Sequence, residues 1–365
     1  MTDIQQKLAD KLFPISKEED IEVHNIPPEQ RRLHTEAADY TISTINSYLS
    51  ENKIQVPDFQ RNFVWTRGQA SRLIESLIIQ CPIPVIYLNQ TSDNKLQVID
   101  GNQRLQSIRL FLANAYQLQG LTTYPELNGL RWSELDPRFR DHINNRTLRC
   151  ITILRDTHSQ IKYDVFERLN TGSVKLNAQE LRYGISNGRL MKLLDRVAKN
   201  HLFVEMTGVQ NDKRMRLQEL ALRYFAFRHW KENYKKPLSS FLDRFAEVHQ
   251  SVKRGIDEKW ENEFIEILER VNSFLGKDAF RLLLSSGQFG GQFNAAVYDA
   301  QMIAFATTTN KAIIDGSFPK SKLKNRIVRL FSDEKFHLAV TRATSDEQAV
   351  ETRVALFRQI LDRAR

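Results

Sequence analysis

The sequence is poor in cysteine, with two residues, Cys81 and Cys150, in 365. That is too few for a disulfide framework, and neither stands in the paired spacing of a zinc site. A reducing compartment is expected, with both thiols as small buried side chains. No stretch approaches the roughly eighteen consecutive apolar residues of a membrane span, and the start, MTDIQQKLADKLF, has acids but no apolar signal core. A cytoplasmic protein is expected. Extended low-complexity segments and repeats of fixed period are also missing, which excludes linker-like and solenoid architectures. Acidic residues are in deficit, 44 against 53 Lys+Arg, for a net charge of +9. Such an excess favours a polyanionic partner, because Lys and Arg gain affinity by releasing the counterions condensed on a phosphate backbone. The basic residues look spread along the chain rather than blocked.

What is present is an ordinary globular composition, 41% hydrophobic and 27% charged, in a chain too long for one core, so two domains are expected. Residues 1–38 mix KEED and IPPEQRR with few large apolar residues and read as a lead-in arm. From Asp39 the pattern tightens: TISTINSYLS reads as a short strand and helix, and IQVP as a strand stopped by Pro57. Ala70, Leu73, Ile74, Leu77 and Ile78 form the stripe of an amphipathic helix that CPIP ends. PVIYLNQ and KLQVID are short apolar runs joined by the turn-forming TSDN. After Gly101 the period lengthens from two to about 3.6, with Leu105, Ile108, Phe111 and Leu112 on one side. Residues 113–147 read as a looped insertion and LRCITIL as a buried strand. From about residue 157 only helical stripes recur. An α/β front therefore precedes an all-helical back, with the boundary between residues 155 and 185.

Two stretches carry polar chemistry. VIDGNQRLQS places Asp100, Gly101, Asn102, Gln103 and Arg104 where a strand turns into a helix. A glycine there lets the backbone turn sharply and approach a ligand, and the helix N-terminus is a seat for phosphate. Arg104 then either grips that phosphate or steadies Asp100, and Asp100 holds a metal or orients a water. The structural alternative has Asp100 as the helix N-cap with Arg104 as its intrahelical partner. The second stretch, FQRNFVW, sets Phe59, Phe63 and Trp65 around Gln60 and Arg61. It suits a pocket that stacks a flat ring, reads its edge with an amide and holds phosphate with arginine; packing of Phe63 and Trp65 into a core is the alternative.

With VPDFQRNFVW, CPIP, VIDGNQRLQSI and VFERLNTGSVKLNAQELR in this order over residues 40–185, the chain resembles the N-terminal domain family of GmrSD-type, modification-dependent restriction proteins. The helical remainder resembles the tail of stand-alone members. The resemblance implies an α+β protein, with a ParB/sulfiredoxin-like mixed α/β domain over 39–185 and an α-helical domain over 186–365. It implies defence against phage or foreign DNA, recognition of modified DNA, and nucleotide hydrolysis or DNA damage at the DGQQR site. By position, Asp100, Gln103 and Arg104 would be catalytic, with Asp100 the candidate metal ligand. Gly101, Asn102, Arg104 and Arg61 would hold a nucleotide or phosphate. Phe59, Gln60, Arg61, Trp65, Arg168 and Asn170 would face the base or DNA. Mg²⁺, an NTP, or both are the implied cofactors, and DNA and a separate nuclease subunit the implied partners. Two departures matter: DGQQR is DGNQR here, which keeps an amide, and the tyrosine of the YQR triplet is Phe59, which keeps stacking but loses a hydroxyl. His142, in RFRDHINN, is the nearest imitation of an HNH nuclease centre but has no partner cluster, so a surface or core role is expected. The chemistry stays open among strand cleavage, excision of a flipped base, a nucleotide switch and a DNA-recognition subunit.

Overall fold

The computed structural model describes residues 27–363 apart from 57–64, 92, 170–176, 187, 211, 213 and 285. Pro28–Gln30 form one 3-10 turn, with Pro28 fixing the φ of its first residue. From Arg32 onward the chain is one compact unit.

Strand β1 (Thr35–Thr41) leads into helix α1 (Ile42–Ser50), whose start is capped by the Thr41 hydroxyl accepting from the Thr44 amide. It begins before Asp39, where the sequence pattern tightens, because this edge strand is mostly exposed and has no apolar alternation to announce it. The short β2 (Ile54–Gln55) precedes α2 (Arg67–Ile78), opened by a capping box between Thr66 and Gln69. The expected stripe from Ala70 to Ile78 is buried. β3 (Ile86–Gln90) and β4 (Leu96–Asp100) form the hairpin around TSDN, and α3 (Asn102–Leu112) follows β4. The segment read as a looped insertion holds two 3-10 turns and α4 (Pro137–Asn144), the latter capped by Asp136. The buried Glu75 carboxylate organises the first part of it, accepting from the amides of Thr123 (2.7 Å) and Tyr124 (3.0 Å). β5 (Thr147–Ile153) completes a five-stranded mixed sheet of order β1-β5-β3-β4-β2. β1 runs antiparallel and β3 parallel to β5, β4 antiparallel to β3, and β2 parallel to β4.

Alternation divides the sheet residues between two layers. Ile86, Leu88, Val98, Leu148 and Cys150 pack with α1, α2 and α3 in one core. Ile99 and Ile153 point the other way, onto Phe166 and Leu181 of α5 (Ser159–Leu169) and α6 (Ala178–Ile185). Both faces are therefore covered. Cys81 corrects the expectation for the thiols: it is exposed, while Cys150 is buried as expected. Cys81 lies three residues beyond the end of α2, at the start of CPIP, outside the core.

The remaining helices are α7 (Arg189–Ala198), α8 (His201–Thr207), α9 (Arg216–His229), α10 (Leu238–Val248), α11 (Ile256–Leu275), α12 (Ala295–Thr307), α13 (Lys311–Ile314), α14 (Lys320–Phe331), α15 (Glu334–Thr341) and α16 (Glu347–Asp362). They share a second large core rich in phenylalanine, in which Phe203, Phe225, Phe241, Phe245 and Phe264 are fully buried. α12 is apolar nearly all round and lies at its centre. The expectation of no strand beyond residue 157 is overturned by a hairpin, β6 (Arg281–Leu283) with β7 (Phe289–Phe293). Its strands are too short and too glycine-rich (FGGQF) for a period-two signal, and packing of Phe289 edge-on against Phe331, 5.6 Å between centroids, holds it to the helices. Among the described residues, no helix is long and apolar enough to cross a membrane.

Candidate functional site

The polar corner lies at the end of β4. Gly101 has φ of 96°, in the left-handed region that a β-carbon disfavours, and serves as the N-cap of α3. A Cβ at 101 would also meet Ile86 Cδ1, which would have to shift. Asp100 is therefore not the N-cap, and α3 starts without a side-chain capping hydrogen bond.

Asp100 instead pairs with Arg104, whose Nη2 donates to Oδ2 at 2.7 Å. The two side chains differ sharply in exposure, 49% for Asp100 and 11% for Arg104. The Arg104 Nη1 donates to the Pro84 carbonyl and to that of Val85 (3.2 Å). This guanidinium is thus locked to the loop leading into β3, and it steadies Asp100, the second of the two roles the sequence allows it. Burial pulls the Arg104 pKa below the usual arginine value, while Asp100 opposes that pull. The carboxylate faces solvent on a braced stem.

The next residues tie the corner to its surroundings. Asn102 is buried, its Oδ1 accepting from Gln106 Nε2 at 2.9 Å. Gln103 is half-buried, and its Oε1 accepts from the Trp65 amide at 3.3 Å. That bond places the end of the FQRNFVW stretch against the first turn of α3. Trp65 is half-buried beside the front core. Phe59, Gln60 and Arg61 lie outside the described residues, as does Asn170. Arg168 is 80% exposed at the end of α5, 3.7 Å from Asp164, on the layer opposite α3. The structure thus joins Asp100, Gly101, Asn102, Gln103, Arg104 and Trp65, and sets Arg168 on the other side of the sheet. His142 is a structural histidine, its Nε2 3.0 Å from the Ile78 carbonyl.

Sequence reasoning missed the groups that make the corner rigid: the Pro84 and Val85 carbonyls and the Ile86 side chain. CPIP was legible only as a helix stop. No side-chain signal marks a carbonyl that will receive an arginine. Chemically, one exposed carboxylate held by a buried cation can orient a water or accept a proton. Among the described residues no group of three or more His, Cys, Asp or Glu could hold a metal by itself. A Mg²⁺ ion bound through Asp100 would need substrate phosphates and water for its other ligands, which is a usual arrangement for this cation.

Together these features define an α+β protein with a braced acidic corner at the carboxyl end of a strand. Residues 44–185 match the family model of the GmrSD restriction endonuclease, N-terminal domain, so over this segment the chain is similar to that family. The match ends on the last residue of α6, and α7 to α16 lie beyond it. A comparison with curated proteins finds no match.

Proposed function

We propose that the protein recognises modified or foreign DNA and damages it at the DGNQR corner. Asp100 is the catalytic acid–base or water-orienting group. Arg104 is its positioning residue, and Gln103 and Trp65 align the neighbouring wall. Phe59, Gln60 and Arg61, outside the described residues, are the expected source of stacking, an amide and a phosphate contact. The observation that carries this reading is the contrast within one ion pair: a buried arginine fixed by two backbone carbonyls presents a half-exposed aspartate. A purely structural pair at a helix start needs no such bracing. If Mg²⁺ takes part, Asp100 is its protein ligand and the metal supplies charge neutralisation at phosphate. One carboxylate suits strand cleavage less well than a two-metal centre would, so excision of a flipped base, with Asp100 aiming water at the sugar, belongs to the same proposal.

A second reading, a nucleotide-controlled switch, is favoured by one feature: α3 begins at a left-handed glycine that supplies no side-chain cap, and a helix N-terminus favours an anion. Incubating the protein with unmodified and phage-modified DNA, with and without Mg²⁺ and each NTP, separates the two. Nicks or abasic sites that vanish in Asp100→Asn support the first reading. Phosphate release from NTP with intact DNA supports the second. If both Asp100→Asn and Arg104→Ala match the wild type in every product, the corner is only a helix start. Intact DNA and NTP in every arm, with binding preserved, would leave a recognition subunit whose nuclease is separate.

A further inference from the structure

The basic residues are less evenly spread than the overall charge balance suggests. The stretch from Lys311 to Leu330 holds six basic side chains and one acid, Asp315, so +5 of the chain's +9 falls in it. Most of this charge is on α14. That helix buries Leu323, Ile327, Leu330 and Phe331 against the helical core. At about 100° per residue, the buried side leaves Lys322, Arg326 and Arg329 together on one flank, within a sector of roughly 60°.

Neighbouring acids do not neutralise this flank. Asp278 is taken by Lys324, at 2.5 Å, and Asp333 caps α15, accepting from the Phe336 amide at 3.0 Å. Lys322 and Arg329 are exposed and form no ion pair with any described residue. Arg326 is half-buried because its guanidinium lies over the Phe318 ring, 5.5 Å from the centroid, which holds it in place before any partner arrives. Seven residues separate Lys322 from Arg329, roughly 10 Å along the helix axis. One DNA strand advances by that distance in about three nucleotides, at 3.4 Å each.

We infer that α14 is a DNA-backbone contact, with Lys322, Arg326 and Arg329 each meeting a phosphate of one strand. It fixes how the helical part of the protein lies on the duplex and reads no base. The inference rests on the reading that the protein acts on DNA, but not on the chemistry at Asp100, since the two surfaces belong to different cores.

The test is fluorescence anisotropy with a labelled, unmodified duplex over a series of salt concentrations, comparing wild type with K322A/R326A/R329A. Loss of three phosphate contacts should reduce the slope of log K against log salt by about 2.7, at 0.9 per contact. It should weaken binding by roughly tenfold to a hundredfold. A control, R189A/K192A/K199A, removes the same charge from exposed positions on α7 and at its C-cap and should change the slope by less than about one. Circular dichroism and melting should match the wild type for both variants. An unchanged slope in the α14 variant overturns the inference while leaving the DNA reading intact, as does an equal loss in the control. Loss of binding to anionic lipid vesicles with unchanged DNA affinity would assign the stripe to a membrane surface and also overturn it. If the wild type binds no duplex, modified or not, the DNA reading falls and takes this one with it.

Discussion

At the residue scale, Gly101, Asp100 and Arg104 depend on one another. Gly101 permits the turn, the turn sets Asp100 beside Arg104, and the guanidinium holds both to the Pro84–Val85 backbone. Gly101→Ala should lower stability by about 1–3 kcal/mol, from the left-handed φ and the encounter with Ile86, read as a fall in the urea midpoint. Arg104→Lys retains the charge but cannot span Asp100 and two carbonyls. It should therefore cut turnover more than substrate affinity, while Asp100→Asn abolishes turnover and leaves the fold intact; equal activity in all three proteins would remove the corner from the mechanism. The sequence already showed the acid, the glycine and the arginine. It left Arg104 with two roles, because the carbonyls that decide between them carry no side-chain identity.

At the scale of elements, α6 couples the two large cores. The Asn89 side chain, on β3, donates to the Gly184 carbonyl at 3.1 Å, and Ile99, next to Asp100, packs against Leu181. From the same helix the fully buried Arg182 donates through Nε to Asp243 of α10 at 2.6 Å and through Nη2 to the Ser239 carbonyl at 3.2 Å. Asp243→Ala should cost about 3 kcal/mol, because it strips a buried guanidinium of its nearest anion. A urea midpoint within error of the wild type would mean that Gln179, Glu219 and the Ser239 carbonyl suffice. The amphipathic stripes of α2 and α11 were legible from spacing alone, since solvent exclusion acts on periodicity directly. The start of β1 and the β6–β7 hairpin were not: the first is an exposed edge strand, and the second consists of strands stabilised by the helices behind them rather than by their own pattern.

Over the whole molecule, the helical part is held by buried charge and stacked rings as well as by aliphatic packing. Asp299, on α12, accepts from the half-buried Arg223 of α9 and from Arg353 of α16 (2.7 Å), Asp299 and Arg353 being fully buried. Asp299→Ala would leave Arg223 and the buried Arg353 facing each other without their shared anion and should cost roughly 3–5 kcal/mol, a large share of the about 5–15 kcal/mol of an ordinary chain, read as a fall in melting temperature. His229 stacks on Trp260 with ring centroids 4.2 Å apart. Burial pulls its pKa down to about 4, against the opposing effect of Glu263. Because that value lies below the unfolded value of about 6.5, the folded protein binds fewer protons. This contribution is complete above pH 6.5 and is lost as pH falls toward 4. Melting temperatures between pH 8 and pH 4 should therefore fall more steeply for the wild type than for His229→Phe, and parallel curves would refute the assignment. What the sequence determined by itself was local: helix stripes, the strand-to-helix corner, the family motifs and the excess of positive charge, each a property of neighbours in the chain. The tertiary structure decided what depends on distant partners. It turned Arg104 toward backbone carbonyls and put Arg168 on the far side of the sheet. It also left Lys322, Arg326 and Arg329 of α14 on the side turned to water, because only packing determines which side of a helix is buried.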